Sequence, residues 1–167
     1  LLAGLIVDLA GDDPNNIITT LTPLLYYALT VIIGLTFMVF VFYPLIIYSY
    51  TGVPISKFLK AIFPAQMLAF STSSSAATLP LTMKRVEKNL NVSDEVTSFV
   101  CPLGATINMD GTSIHQAISA VFIAQAFGQD LTLVDQLAIV LTATLSSIGA
   151  AAVPGAGLIM LVIVLGA

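Results

Sequence analysis

Residues 14–56 carry no charged side chain, and this feature limits most strongly what the chain can fold into. Within that run, residues 24–47 are the most apolar stretch, and they exceed the roughly 20 residues that cross the hydrocarbon core of a bilayer. Only 8% of the chain is charged, whereas ordinary globular domains carry about 25%. Because a soluble protein of this length needs a charged surface, the sequence predicts an all-α integral membrane protein.

The basic residues divide the next part of the chain. They stand in two groups on either side of the uncharged residues 61–83: Lys57 and Lys60, then Lys84, Arg85 and Lys88. Positive charge in short loops marks the cytoplasmic face of a membrane protein. A segment with both ends on that face must enter the membrane and return. We therefore expect a re-entrant helical hairpin over residues 57–88, with the serine-rich run of residues 71–75 at its tip.

Two further segments contain residues that interrupt helices. Residues 96–128 are long enough to span, but Gly104, Asn108, Asp110 and Gly111 fall in the middle, so we expect a broken transmembrane helix. Residues 133–167 include three glycines and a proline at their centre. Lipid cannot satisfy the backbone groups that such a break frees, so this break must face protein or a water-filled cavity. We expect a second re-entrant hairpin there, truncated and entering from the outer face.

The two ends of the sequence are apolar. Residues 1–10 resemble the end of a transmembrane helix, and residues 14–52 form the next one in our interpretation. Since both termini fall inside hydrophobic segments, we expect the chain to be a piece of a longer, multi-pass protein of the cell membrane. Two hairpins that enter from opposite faces are the geometry of an inverted-repeat secondary transporter.

Asp110 is the residue that most directly indicates function. An acid in the middle of a membrane span costs a few kcal/mol, so it normally faces a partner or a cavity. Asn108 lies two residues before it, and side-chain oxygens with freed carbonyls are hard ligands for Na⁺ or another small cation. The alternative is a structural aspartate that is hydrogen-bonded to a neighbouring helix. Thr112 offers a hydroxyl beside the same break.

Other polar residues have weaker interpretations. The serine-rich tip offers backbone N–H groups at the start of a half-helix, and these suit a carboxylate, although a plain polar turn would look the same. For His115, a packed and hydrogen-bonded side chain is favoured over a proton relay. Cys101 is the only cysteine, so no intrachain disulfide is expected.

Other classes of protein fit the sequence less well. The five basic residues form no basic run, so nothing indicates a nucleic-acid partner. The chain has no G-x-S-x-G nucleophile motif, and we do not expect an enzyme. An ion channel is a more serious alternative because broken hairpins also line pores. A charged Asp110 between two hairpins favours occlusion over an open path.

Three motifs resemble the dicarboxylate/amino acid:cation symporter family, which contains the glutamate and neutral amino acid transporters and their prokaryotic relatives. They are Ser73-Ser74-Ser75 with Thr78-Leu79-Pro80, the run from Pro102 through Asn108-Met109-Asp110-Gly111-Thr112, and Ser147-Ile148-Gly149 through Gly157. The resemblance implies a homotrimer in which a mobile transport domain carries solute and ions by an elevator mechanism. It implies Na⁺-coupled uptake of an amino acid, with an acidic one favoured.

The same resemblance implies the residues of the binding sites. The small-molecule substrate would be bound by Ser73, Ser75, Thr112, Val153 and Gly157. Sodium would be bound by Gly104, Asn108 and Asp110 at one site and by the carbonyl oxygens of Thr106, Ser147, Ile148 and Ala150 at another, with Met109 between them. Proton coupling stays open, because some relatives with a leucine at the Met109 position are proton-coupled. A C4-dicarboxylate symporter on the same scaffold also stays open.

Overall fold

The computed structural model describes residues 14–166, with side chains from Leu21 onward. All regular structure in these residues is helical. The predicted helix end at residues 1–10 lies outside the described residues. The helices are α1 (Pro14–Phe37), a π-helical segment (Met38–Phe42), α2 (Tyr43–Thr51), α3 (Ile55–Thr72), α4 (Ser75–Leu90), α5 (Asp94–Ile107), α6 (Asp110–Ala126), α7 (Leu133–Ile148) and α8 (Ala156–Leu165).

The helix α1, the π segment and α2 follow one another without a turn. Residues Leu21–Thr51 contain an 18-residue window with a mean hydropathy of 2.4 and are long enough to cross a membrane, and they form the single such helix in the described part of the chain. The helix ends at Gly52, which adopts the left-handed conformation with φ 67° and donates its N–H to the Tyr48 carbonyl. Pro54 then precedes α3, where a missing N–H costs nothing.

Helices α3 and α4 form a helical hairpin with a two-residue turn at Ser73 and Ser74. Ser73 closes α3 with φ 50°, and Ser74 caps α4 by accepting the N–H of Ala77 at 3.2 Å. The Arg85 Nε donates to the Ala61 carbonyl at 2.8 Å, and these two residues lie equally far from Ser73 along the chain. The two helices therefore run antiparallel. This hairpin corresponds to the predicted segment 57–88.

Helices α7 and α8 form the second pair, joined by residues 149–155. The α7 helix begins with a capping box in which Thr132 and Asp135 bond each other's backbone N–H groups. The Ser146 hydroxyl lies 3.4 Å from the Met160 carbonyl and donates to it across the pair. Both helices also contact α6, which in turn packs against α1. This pair corresponds to the predicted segment 133–167.

The interior is built from small side chains, while large apolar side chains lie on the outside. Ala120, Ala143 and Val164 form the buried cluster between α6, α7 and α8. Phe70, by contrast, is 87% exposed, and most other large apolar side chains of the described chain are exposed as well. Small residues at helix interfaces with large apolar residues outside are typical of helices that pack within lipid. Gly34 allows the closest approach, because a Cβ there would lie 3.3 Å from Ile114 Cγ2.

Candidate functional site

The centre of the candidate site is a break between α5 and α6. Asn108 and Met109 leave the helical conformation, with ψ angles of 72° and 46°, and Asp110 begins α6. The Met109 carbonyl accepts the N–H groups of Thr112 and Ser113 at 2.9 and 3.1 Å. Within residues 14–166, no N–H or hydroxyl donates to the carbonyls of Thr106 or Ile107. The break therefore leaves two carbonyl oxygens without a donor, three and four residues before Asp110 in the chain.

The Asp110 carboxylate accepts hydrogen bonds from two neutral side chains. The Tyr43 hydroxyl, at the start of α2, donates to Oδ2. The Asn108 amide, oriented with its nitrogen toward the carboxylate, donates to Oδ1 at 3.1 Å and to Oδ2 at 2.9 Å. The basic residues of the sequence all lie at residues 57–60 or 84–88, at the ends of α3 and α4 distant from their turn. The donors to this half-buried carboxylate are therefore neutral among the described residues, and an acid within a membrane segment normally faces a partner or a cavity.

The remaining residues predicted to bind sodium lie on the ends of α5 and α7, two helices that contact each other. The Gly104 carbonyl accepts the Asn108 N–H at 2.9 Å, and the Thr106 hydroxyl donates to the Leu103 carbonyl. Ser147 and Ala150 are buried, and the Ser147 carbonyl accepts the Ala150 N–H at 3.2 Å, while the Ile148 side chain is exposed. The described residues contain no cluster of three His, Cys, Asp or Glu side chains, so the predicted sites depend on carbonyl oxygens and Asp110.

The turn between α3 and α4 contacts the segment between α7 and α8. The Ala152 carbonyl accepts the Ser74 hydroxyl at 3.0 Å and the Ala76 N–H at 3.1 Å. The sequence predicted open N–H groups at the start of α4, and this was wrong for two of them. The N–H of Ala76 is taken by Ala152, and that of Ala77 by Ser74. Ser75, which is exposed at the first position of α4, keeps its N–H free among the described residues.

The other predicted substrate residues lie around this contact. Ser73 occupies the left-handed position of the turn, and Val153, next to Ala152, is 53% exposed. Thr112 on α6 faces Gly157 on α8, where an added Cβ would lie 3.4 Å from Thr112 Cγ2. The structure therefore brings Thr112 beside Gly157, and Ser73 and Ser75 beside the segment that contains Val153.

Comparison with known proteins identifies the family. A sequence profile described as the sodium:dicarboxylate symporter family matches residues 2–167. The chain belongs to this family. It is 46% identical to human excitatory amino acid transporter 2 and 48% identical to excitatory amino acid transporter 1 of Ambystoma tigrinum. Each match covers 139 residues, which are 83% of this chain. It is 44% identical over 151 residues, 90% of the chain, to an excitatory amino acid transporter of Caenorhabditis elegans.

The predicted family resemblance is thus confirmed, and a symporter family implies a membrane protein. These relatives are named as transporters and not as enzymes. The matched region is 24% to 30% of the length of these three relatives, so this chain corresponds to less than a third of each.

His115, on α6, contacts α1. Its Nε2 is 3.1 Å from the Tyr27 hydroxyl, which is also 2.9 Å from the buried Ser119 hydroxyl. Tyr27 packs its ring on Phe122 with a centroid distance of 4.9 Å. His115 is therefore a packed, hydrogen-bonded side chain between α1 and α6, as favoured from the sequence.

Three residues of the site were missed by sequence reasoning. Tyr43 and Ser74 make the contacts described above. Gln116 is fully buried, and its Nε2 donates to the Gly157 carbonyl at 3.4 Å, while its Oε1 has no partner among the described residues. Gln116 could have been found, because it follows Thr112 by four residues and so shares its helix face.

Proposed function

We propose that the protein containing this chain is a secondary active symporter that couples inward movement of Na⁺ to uptake of an amino acid, with an acidic amino acid as the substrate. The observation that carries the proposal is the Asp110 carboxylate at the α5–α6 break, which accepts hydrogen bonds only from the neutral Tyr43 and Asn108 within residues 14–166. The charge of a half-buried carboxylate needs a cation, and a cation that can leave again provides coupling.

The ligands available at the break suit an alkali cation. The free Thr106 carbonyl and the Asp110 carboxylate are hard oxygen ligands, which small, hard cations prefer. Ser147, Ile148 and Ala150 would add carbonyl oxygens from the end of α7, which contacts α5. The family description names sodium, and it supports Na⁺ over a proton as the coupling ion. The sodium ions are cargo, since the proposal has them released with the solute.

The substrate would bind where the two turns meet. The free N–H of Ser75 stands at the positive end of α4, where a carboxylate is stabilised. Ser73 and Thr112 would add polar groups, and Val153 and Gly157 would close the other side. The names of the relatives support an excitatory amino acid as the solute.

The two helix pairs, α3–α4 and α7–α8, would be re-entrant hairpins that enter from opposite faces of the plasma or inner membrane. The Ser74–Ala152 hydrogen bond supports this arrangement, because tips entering from opposite faces must meet inside the bilayer. In this proposal the helices described here belong to the moving transport domain of an elevator-type homotrimer.

The test uses the full-length protein in proteoliposomes. Radiolabelled aspartate uptake is expected to need an inward Na⁺ gradient, and Asp110→Asn is expected to abolish it. Removing one partner of a buried charge interaction costs about 3 kcal/mol or more, which raises the Na⁺ concentration for half-maximal uptake more than about a hundredfold. Asp130→Asn, which alters an exposed acid in the α6–α7 loop, is the matched control. Uptake that persists undiminished when K⁺ replaces Na⁺ would contradict the proposal.

A C4-dicarboxylate symporter is the second candidate, because the family description also names dicarboxylates. Competition experiments separate the two substrates. When uptake of radiolabelled succinate is measured, inhibition by malate without inhibition by aspartate would favour the dicarboxylate. A channel predicts currents that saturate poorly with solute concentration and need no coupling ion.

A further inference from the structure

Tyr43 connects the α1–α2 helix to the α5–α6 break, where we propose that the cation binds. Its hydroxyl donates to Asp110 Oδ2, although the two residues are 67 positions apart in the chain. Its side chain is half-buried, whereas Tyr26, Tyr48 and Tyr50 are exposed. Of the five tyrosines, Tyr43 is the one that contacts the break.

The sequence explains why Tyr43 stands where it does. Pro44 follows it and is buried, and a proline ring inside a helix clashes with the carbonyl four residues earlier. The wider turn of the π segment relieves this crowding, and the Tyr43 N–H reaches the Met38 carbonyl, five residues back. Single π-helical turns within α-helices occur frequently at functional sites. Here the π turn ends directly before the residue that contacts Asp110.

The hydrogen bonds distinguish the two oxygens of the carboxylate. Among the residues that the structure describes, Oδ2 accepts from both Tyr43 and Asn108, whereas Oδ1 accepts from Asn108 alone. Each carboxylate oxygen has about two lone-pair directions. Oδ2 is thus fully used, and Oδ1 keeps one direction open.

We propose that Tyr43 is a positioning residue for the coupling cation, which fixes the Asp110 carboxylate so that Oδ1 is the oxygen presented to the ion. The inference rests on the proposed function, because it needs a cation at Asp110. Without the hydroxyl, the carboxylate rotates more freely and both oxygens compete for the Asn108 amide. Binding the cation then has to order the carboxylate as well, and a site that is ordered only on binding binds more weakly.

The test replaces Tyr43 by phenylalanine in the full-length protein, which removes one oxygen and keeps the ring. Tyr48→Phe, an exposed position on the same helix, is the matched control. In proteoliposomes we expect Tyr43→Phe to raise the Na⁺ concentration for half-maximal uptake about tenfold, which corresponds to about 1.4 kcal/mol. The maximal rate at saturating Na⁺ is expected to stay within about twofold of the wild type. Tyr48→Phe is expected to change neither quantity.

A second measurement separates positioning from general stability. We expect the unfolding temperature of Tyr43→Phe to increase less than that of the wild type when Na⁺ is added, because weaker Na⁺ binding stabilises the folded state less. Loss of the hydrogen bond to Asp110 as a structural contact would lower the unfolding temperature by the same amount with and without Na⁺. Tyr43→His retains a donor on a smaller ring, and we expect an increase in the half-maximal Na⁺ concentration below that of Tyr43→Phe. It serves as the test if the phenylalanine variant fails to fold.

The outcomes separate this inference from the proposed function. If wild-type uptake needs Na⁺ but Tyr43→Phe has the Na⁺ dependence of Tyr48→Phe, the role of Tyr43 is refuted and the symporter proposal stands. An equal loss of unfolding temperature with and without Na⁺ also refutes it, because that is the result of a purely structural contact. Wild-type uptake that needs no Na⁺ overturns both.

Discussion

Replacing Ser74 by alanine tests the contact between the two turns, because its hydroxyl makes two hydrogen bonds with different functions. It accepts the Ala77 N–H as the cap of α4, and it donates to the Ala152 carbonyl at 3.0 Å. Losing an N-cap costs typically about 1 kcal/mol. A hydrogen bond between helices of membrane proteins averages about 0.6 kcal/mol. The Ala152 carbonyl keeps the Ala76 N–H as a partner, so no further penalty for an unpaired group applies.

We therefore expect Ser74→Ala to lower the free energy of unfolding by about 1.6 kcal/mol. Ser74→Gly separates the two functions, since glycine is a nearly adequate cap and costs only a few tenths of a kcal/mol there. The glycine variant should lose about 1 kcal/mol, mostly from the Ala152 contact. Ser71→Ala is the control, because the exposed Ser71 hydroxyl bonds only the Leu68 carbonyl of its own helix.

The assay is reversible unfolding of the full-length protein in detergent micelles, with the four proteins compared under one condition. The reasoning predicts the order of stability as wild type and Ser71→Ala, then Ser74→Gly, then Ser74→Ala. If Ser74→Gly is as stable as Ser71→Ala, the hydrogen bond to Ala152 does not stabilise the fold. If Ser74→Ala is also neutral, the cap assignment fails as well.

Two further predictions concern the contact between α1 and α6 and the start of α7. Tyr27→Phe should lower the free energy of unfolding by about 1 kcal/mol, because His115 loses its partner while Ser119 still bonds the His115 carbonyl. Tyr26→Phe, at an exposed position, is the control. An equal effect of both substitutions would contradict the hydrogen bond between Tyr27 and His115. Asp135, in the first turn of α7, has its pKa lowered by hydrogen bonds from the Thr132 hydroxyl and backbone. A carboxyl with a lowered pKa stabilises the folded state above its unfolded pKa and loses that contribution as pH falls through its folded pKa. Hydrogen-exchange protection in the first turn of α7 should therefore decrease at acidic pH, and a Thr132→Ala variant with the same pH dependence would refute this.

The helical class and the positions of the breaks could be predicted because they depend on local residues. Gly104 and Gly111 bracket the break at Asn108 and Met109, and the turn of the first hairpin falls at Ser73 and Ser74 within the serine run. The family followed from three motifs and is confirmed. Re-entry of the two helix pairs into a membrane stays a prediction, as do the ion and substrate sites.

The contacts of Tyr43 and Ser74 could not be predicted, because each joins residues that are distant in the chain. Tyr43 lies in a uniformly apolar helix, where periodicity does not indicate which face packs inward. The π segment before it also shifts the register of the helix. Ser74 was one hydroxyl within a run of serines and threonines, and nothing local distinguishes the one that contacts Ala152. The prediction of open N–H groups failed for the same reason at Ala76, whose partner Ala152 is distant in the chain, whereas the Ala77 N–H is taken locally by the Ser74 cap.

The contacts between the α1–α2 helix and α6 form an ordered series along both helices, and the series ends at Asp110, where we propose that the cation binds. Tyr27 contacts His115 and Ser119, Gly34 lies against Ile114 at the middle, and Tyr43 reaches Asp110. Residue numbers rise on one side as they fall on the other, so the helices run antiparallel. The Tyr43 contact is the last of the series and falls on the first residue of α6. A change in the angle between the helices about the close approach at Gly34 would therefore displace the Tyr43 hydroxyl from Asp110 more than it displaces the packing at Ile114. The geometry at Asp110 thus depends on how α1 and α2 lie against α6, and not on the α5–α6 break alone.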